Sequence, residues 1–116
     1  MDGRIKYSEF VKFDFLSTVN EQVPVNCIYS FEAQAPQNTQ DVIRAIVVNF
    51  SADSPNDAVH FRARCRVVFD LTDVGTIPDE NEFIDSYYKA AYQEFCNRAN
   101  EIIVAMRQNP FGFQDI

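Results

Sequence analysis

Residues 58–71 read AVHFRARCRVVFDL, and from Val59 every second residue is apolar: Val59, Phe61, Ala63, Cys65, Val67, Phe69 and Leu71. Period two is the repeat of a β-strand, which sends alternate side chains to opposite faces. A register this strict commits the stretch to a strand with one buried face. It also commits part of the remaining chain to covering that face. The other phase holds His60, Arg62, Arg64, Arg66, Val68 and Asp70. The formal net charge is -7, so three arginines together on one strand face ask for a reason. They are either solvated, paired with acidic residues of a neighbouring copy, or directed at an acidic partner.

Three more segments read as strands. In Tyr7–Phe15, YSEFVKFDF, Val11, Phe13 and Phe15 alternate with Lys12 and Asp14, while Tyr7 and Phe10 point away from one another. In Val23–Phe31 the alternating set is Val23, Val25, Cys27, Tyr29 and Phe31, with Pro24 suited to an edge position because it lacks an N–H. APQNTQ then reads as a turn. Val42–Phe50 is β-branched on both phases, as a central strand is. SADSPND is rich in turn formers and short enough to join the third and fourth strands as an antiparallel pair.

The period changes after TDVGTIP. Ile84, Tyr88, Ala91, Phe95, Ala99, Ile102 and Met106 step by three or four, which marks one face of a helix. Asp79 with Glu82 reads as an N-terminal capping box, and Asn109–Pro110 as the stop. Glu80–Gln108 would then be a helix about 43 Å long. Tyr87, Tyr92, Cys96 and Ile103 widen its apolar girth beyond what one sheet covers, which points to a neighbouring copy. The element order predicts an α+β fold: a four-stranded antiparallel sheet packed by a long C-terminal helix, in a single domain over residues 1–116.

Charge and motif content exclude several function classes. An acidic chain suits nucleic acid poorly. No apolar run approaches a membrane span, and MDGRIKYSEF lacks the apolar core of a secretory signal. Three widely spaced cysteines, Cys27, Cys65 and Cys96, suit neither a disulfide framework nor a metal site, and fit a reducing cytoplasm. One histidine, His60, and three scattered glycines supply no nucleophile elbow or phosphate loop. Asp70 and Asp73 are the remaining acid–base candidates, with no second partner. No enzyme, cofactor or metal is expected. Eleven phenylalanines and five tyrosines must instead fill a core or line a surface meant to be covered.

Several strings resemble the SecB family of export chaperones over about residues 5–113. YSEFVKFDF is similar to its first strand, DVIRAIVVNFSAD to its third, FRARCRVVFDL to its fourth, and EFCNRANEIIVAMRQNPFG to its long helix and exit. The resemblance implies a dimer of dimers and an ATP-independent holdase for unfolded or disordered apolar polypeptide segments. It implies delivery to SecA or protection of a toxin–antitoxin pair. Longer members continue past the position of FGFQDI into a second helix and acidic tail that help hold SecA, which puts SecA delivery in question. Under this reading the client-binding residues are Phe13, Phe15, Tyr29, Phe31, Tyr88 and Phe95, in a cytoplasmic homodimer or homotetramer. The alternative is an oligomeric structural or assembly protein, for example phage- or plasmid-encoded, that uses the same fold without chaperone activity.

Overall fold

The computed structural model describes residues 4–18, 23–34 and 42–116. The turn expected over residues 35–40 lies outside them. The elements are β1 (Arg4–Ser17), β2 (Asn26–Gln34), β3 (Ile43–Asp53), β4 (Val59–Asp70) and α1 (Glu80–Ala105). The strands form one antiparallel sheet in the order β1-β4-β3-β2, and α1 lies across one face of it. The expected fold class is the one observed.

β4 behaves as its period dictates. All seven stripe residues turn inward, and none is more than 7% exposed. β3 is central and pairs with β4 and β2 without a register shift. Its inward residues Ile46, Val48, Phe50 and Ala52 join the core, and its outward Ala45 and Val47 are also buried. The outward pair, with Val68 of β4, lies under a polar roof. There Arg66 donates to Gln34 on β2 and to the Tyr7 hydroxyl on β1, 3.1 Å away. Such a strand is apolar on both phases because polar stems from its neighbours close over it.

β1 departs from the alternation expected of it. Its register against β4 shifts between Ile5 and Tyr7 and again between Phe10 and Lys12. A bulge inserts one extra residue and resets the side-chain phase. Val11 is therefore not an inward residue alongside Phe13 and Phe15; it is 63% exposed. The same bulge brings Phe10 onto the inner face, where its ring meets Phe13 at 5.0 Å and Phe95 at 5.9 Å.

The helix starts where its cap predicts. The Asp79 carboxylate accepts from the Glu82 N–H at 2.9 Å, which satisfies one of the donors left free at a helix start. Its inward row is Phe83, Tyr87, Ala91, Phe95, Ala99 and Ile103, a constant step of four in which only Tyr87 is half-buried, and Tyr92 and Cys96 are buried beside it. Four residues turn the helix by about 400°, so such a row drifts around it and follows the twist of the sheet. Ile84, Tyr88 and Ile102 fall to the side of this seam and are half-buried, and Met106 is exposed. The helix also ends earlier than Gln108. Arg107 adopts a left-handed φ of 63°, the Arg107 N–H bonds Val104 at 2.9 Å, and the Gln108 N–H bonds Ile103 at 3.1 Å. This is a Schellman turn, with an arginine where glycine is usual. It sends residues 109–116 back over the part of the inner face that holds Phe50 and Phe61.

Candidate functional site

The arginine face satisfies itself within one chain. Arg62 meets Asp53 through two bonds of 2.8 and 3.2 Å, Arg66 lies 3.4 Å from Glu9, and Arg64 lies 3.8 Å from Glu32. Those bonds from Arg62 hold the Asp53 carboxyl below the usual carboxylate range. Lys12, Arg62, Arg64 and Arg66 share the face with Glu9, Asp14, Glu32 and Asp53, so it presents no net field to an acidic or basic partner. His60 sits 3.2 Å from Asp53 and 3.9 Å from Asp14.

Asp70 and the buried thiols are held in structural roles. The Asp70 carboxylate accepts from the Thr72 N–H at 2.9 Å and from its hydroxyl. Those bonds close a turn and keep its pKa low. Burial pushes Cys65 up to about 12 and Cys96 up to about 11, the behaviour of inert core thiols. Among the described residues no group of three or more metal-ligating side chains is placed to hold an ion. No helix there is long and apolar enough to cross a membrane.

The six residues expected to meet clients fall in three places. Phe13 and Phe15 lie half-buried along β1, edge-on to Phe61 at 5.3 and 5.1 Å. Tyr29, Phe31 and Tyr88 come together on the β2 side of the helix. Tyr29 and Phe31 are 6.0 Å apart, Phe31 and Tyr88 5.4 Å, and Tyr92 joins them at 5.6 Å from Tyr29. Phe95 is a correction: it is 0% exposed and ringed by Phe10, Phe50, Tyr92 and Phe113, so it belongs to the core. It lies on the helix seam, where packing claims any large ring.

Sequence reasoning placed Tyr92 only on the widened apolar girth of the helix and did not single out Ile28, Phe111 or Phe113. Ile28 is 72% exposed on β2, on the arginine-bearing face opposite Tyr29, itself 41% exposed. Tyr92 links the β2 cluster to the segment after the helix by donating its hydroxyl to the Gln114 carbonyl at 2.9 Å. Burial raises the Tyr92 pKa and keeps it a neutral donor. The available signal was FGF just past the helix stop, two rings spaced two apart.

No family model and no curated protein matches the chain. Its structure is similar to that of the Mycobacterium tuberculosis SecB-like chaperone Rv1957, solved in complex with a ChAD peptide from the antitoxin Rv1956 HigA1. The superposition has a TM-score of 0.66 at 9% sequence identity and covers 98% of this chain and 87% of that one. Four antiparallel strands and one long helix in this arrangement are the SecB-like fold.

Proposed function

We propose that this protein is a non-enzymatic, ATP-independent chaperone or adaptor that binds unfolded or disordered apolar segments of other proteins in the cytoplasm. The observation that carries this reading is the β2 margin. There a strand edge that is unpaired among the described residues runs beside a continuous set of part-open rings, Tyr29, Phe31 and Tyr88, backed by the buried ring of Tyr92. An extended client can add its backbone to such an edge and lay its side chains on the rings. The antitoxin peptide bound by the structural neighbour supports clients of the toxin–antitoxin kind. Nothing in the structure favours SecA over them.

Aggregation of an unfolded client tests the reading. The protein should slow it without ATP, and the effect should survive moderate salt, because apolar burial of ~25 cal/mol per Å² carries it. No protection at several-fold excess over several unrelated clients would sink the proposal. A response to one client alone marks a dedicated adaptor.

A second reading, an assembly protein in dimeric or tetrameric form, is favoured by one observation. Tyr7, Val11 and Leu16 of β1 are 44%, 63% and 56% exposed, and a second copy could cover them. Sedimentation at micromolar concentration decides whether the chain self-associates; a monomer removes this reading.

A further inference from the structure

Residues 109–116 form no helix or strand. Their place is set by what lies beneath them. The Asn100 side-chain amide grips both backbone groups of Phe111: Oδ1 accepts from the N–H at 2.7 Å, and Nδ2 donates to the carbonyl at 3.1 Å. This is the pair of bonds a neighbouring β-strand would supply. Three residues on, the Tyr92 hydroxyl donates to the Gln114 carbonyl at 2.9 Å. These three bonds all reach main chain, so they read no side-chain identity in the segment.

Side-chain selectivity comes from the two rings. Phe111 lies 5.4 Å from Phe61 and 5.9 Å from Phe50. Phe113 lies 5.3 Å from Phe50 and 5.5 Å from Phe95. Between them, a Cβ built on Gly112 would meet nothing within 4 Å, so any residue fits there. Both rings remain half-buried: the segment sits on the floor without being enclosed by it.

We propose that this floor is a peptide site for extended segments of aromatic-any-aromatic pattern, and that residues 109–116 are its resident occupant in the free protein. The proposal rests on the client-binding reading above and adds to the β2 margin a second seat, joined to it through Tyr92, that names which client pattern is preferred. Because the resident is tethered, it competes at a local concentration on the order of mM. A client in trans must displace it, and its apparent affinity is lowered by the fraction of time the floor is filled.

The chain has no tryptophan, so Phe113→Trp in the full chain introduces a single indole that reports on the seat. The probe is a synthetic peptide of residues 109–116, NPFGFQDI. Adding it should red-shift the indole emission saturably as the resident leaves, and a peptide with both phenylalanines changed to serine should not. In the double variant Phe111→Ser, Phe113→Trp, half-saturation should fall roughly ten-fold or more. A ring contact is then lost by the resident and kept by the peptide. If Phe111→Ser lowers the melting temperature, saturating peptide should restore it.

The proposal is overturned if dye-labelled peptide binds while the indole emission stays put, or if the double variant binds no more tightly than the single one. It is also overturned if the protein protects clients with the indole seated throughout, and in each of these cases the chaperone reading stands. If neither peptide nor any client binds, both fall together.

Discussion

The two edges of the sheet are built on opposite plans. β1 carries Arg4, Lys6, Glu9, Lys12 and Asp14 among its 14 residues and is broken by two register shifts. β2 has 9 residues, one charge, Glu32, and an unshifted register. Bulges and charges are how proteins keep an edge strand from recruiting other chains. By that measure β1 is guarded and β2 is open, although both line the same aromatic interior. The difference teaches that exposed apolar residues are not equal invitations. Val11 is exposed because a bulge ejects it, while Ile28 and Tyr29 stand on a regular ladder that another strand could extend. On the function proposed above, the comparison assigns stability to β1 and capture to β2.

The largest effect separates the edge from the centre. Cys27 on β2 is half-buried and its pKa only raised by burial, whereas Cys65 on β4 is pushed to about 12. At pH 8 the loss of thiolate alone should slow labelling of Cys65 by roughly three orders of magnitude against a free thiol of pKa about 8.5. Mass spectrometry after a thiol reagent should find Cys27 modified first. Equal rates would mean that the stripe of β4 is not closed. Next, Phe13→Ala should cost about 2 kcal/mol, less than a fully buried phenylalanine, because part of its ring is already in water. Chemical denaturation reads this, and client binding per folded molecule should not change. A client defect at full stability would place capture on β1 and break the comparison.

Tyr29→Lys should do the reverse. It guards β2 as β1 is guarded, so client affinity should drop ten-fold or more, about 1.4 kcal/mol, with stability within ~0.5 kcal/mol of the parent. Smaller still, Arg107→Gly relieves ~1–2 kcal/mol of left-handed strain at the helix end against ~0.5–1 kcal/mol of added chain entropy, and should stabilise by under about 1 kcal/mol; a lower melting temperature would contradict that geometry. The smallest effect lies between the edges, on the ionic face. Asp53 has a folded pKa below its unfolded value near 3.9. Its contribution is present above that value and lost as pH falls below about 4. In Arg62→Ser the decline of stability with acid should be shallower. An unchanged acid limb would mean that the Arg62–Asp53 pair is solvated in solution.

β4 was readable residue by residue, because a central strand under one layer keeps strict phase. β3 was readable as central from its apolar residues on both phases. The first strand was misread at Val11: a bulge is a backbone event, and Phe10 and Phe13 sit three apart, so no alternation predicts that they share a face. The helix was located, and its cap identified, from local chemistry. Its seam was not, because steps of three and four look equally plausible until the twist of the sheet selects the row of fours. That choice moved Phe95 from a candidate surface to the core and left Tyr88 at the margin. Tyr29, Phe31 and Tyr88 were named as groove residues, and the fold brings their rings together on one side of the helix. The seat of Phe111 and Phe113 could not be seen, since Asn100 and Tyr92 meet them only after the Schellman turn reverses the chain.

The strand order also sets a schedule for synthesis. β1 has β4 as its neighbour in the sheet, and Phe15 faces Phe61 across that pair. A ribosome adding 5–20 residues per second needs about 2–9 s to make the intervening stretch, and longer to clear the partner from its exit tunnel. Throughout that interval Phe10, Phe13 and Phe15 have no partner strand, and the helix that roofs them has not been made. The guard on β1 is therefore needed before the sheet exists. Its five charges and two irregular positions keep the nascent strand from pairing with other emerging chains while it waits for β4.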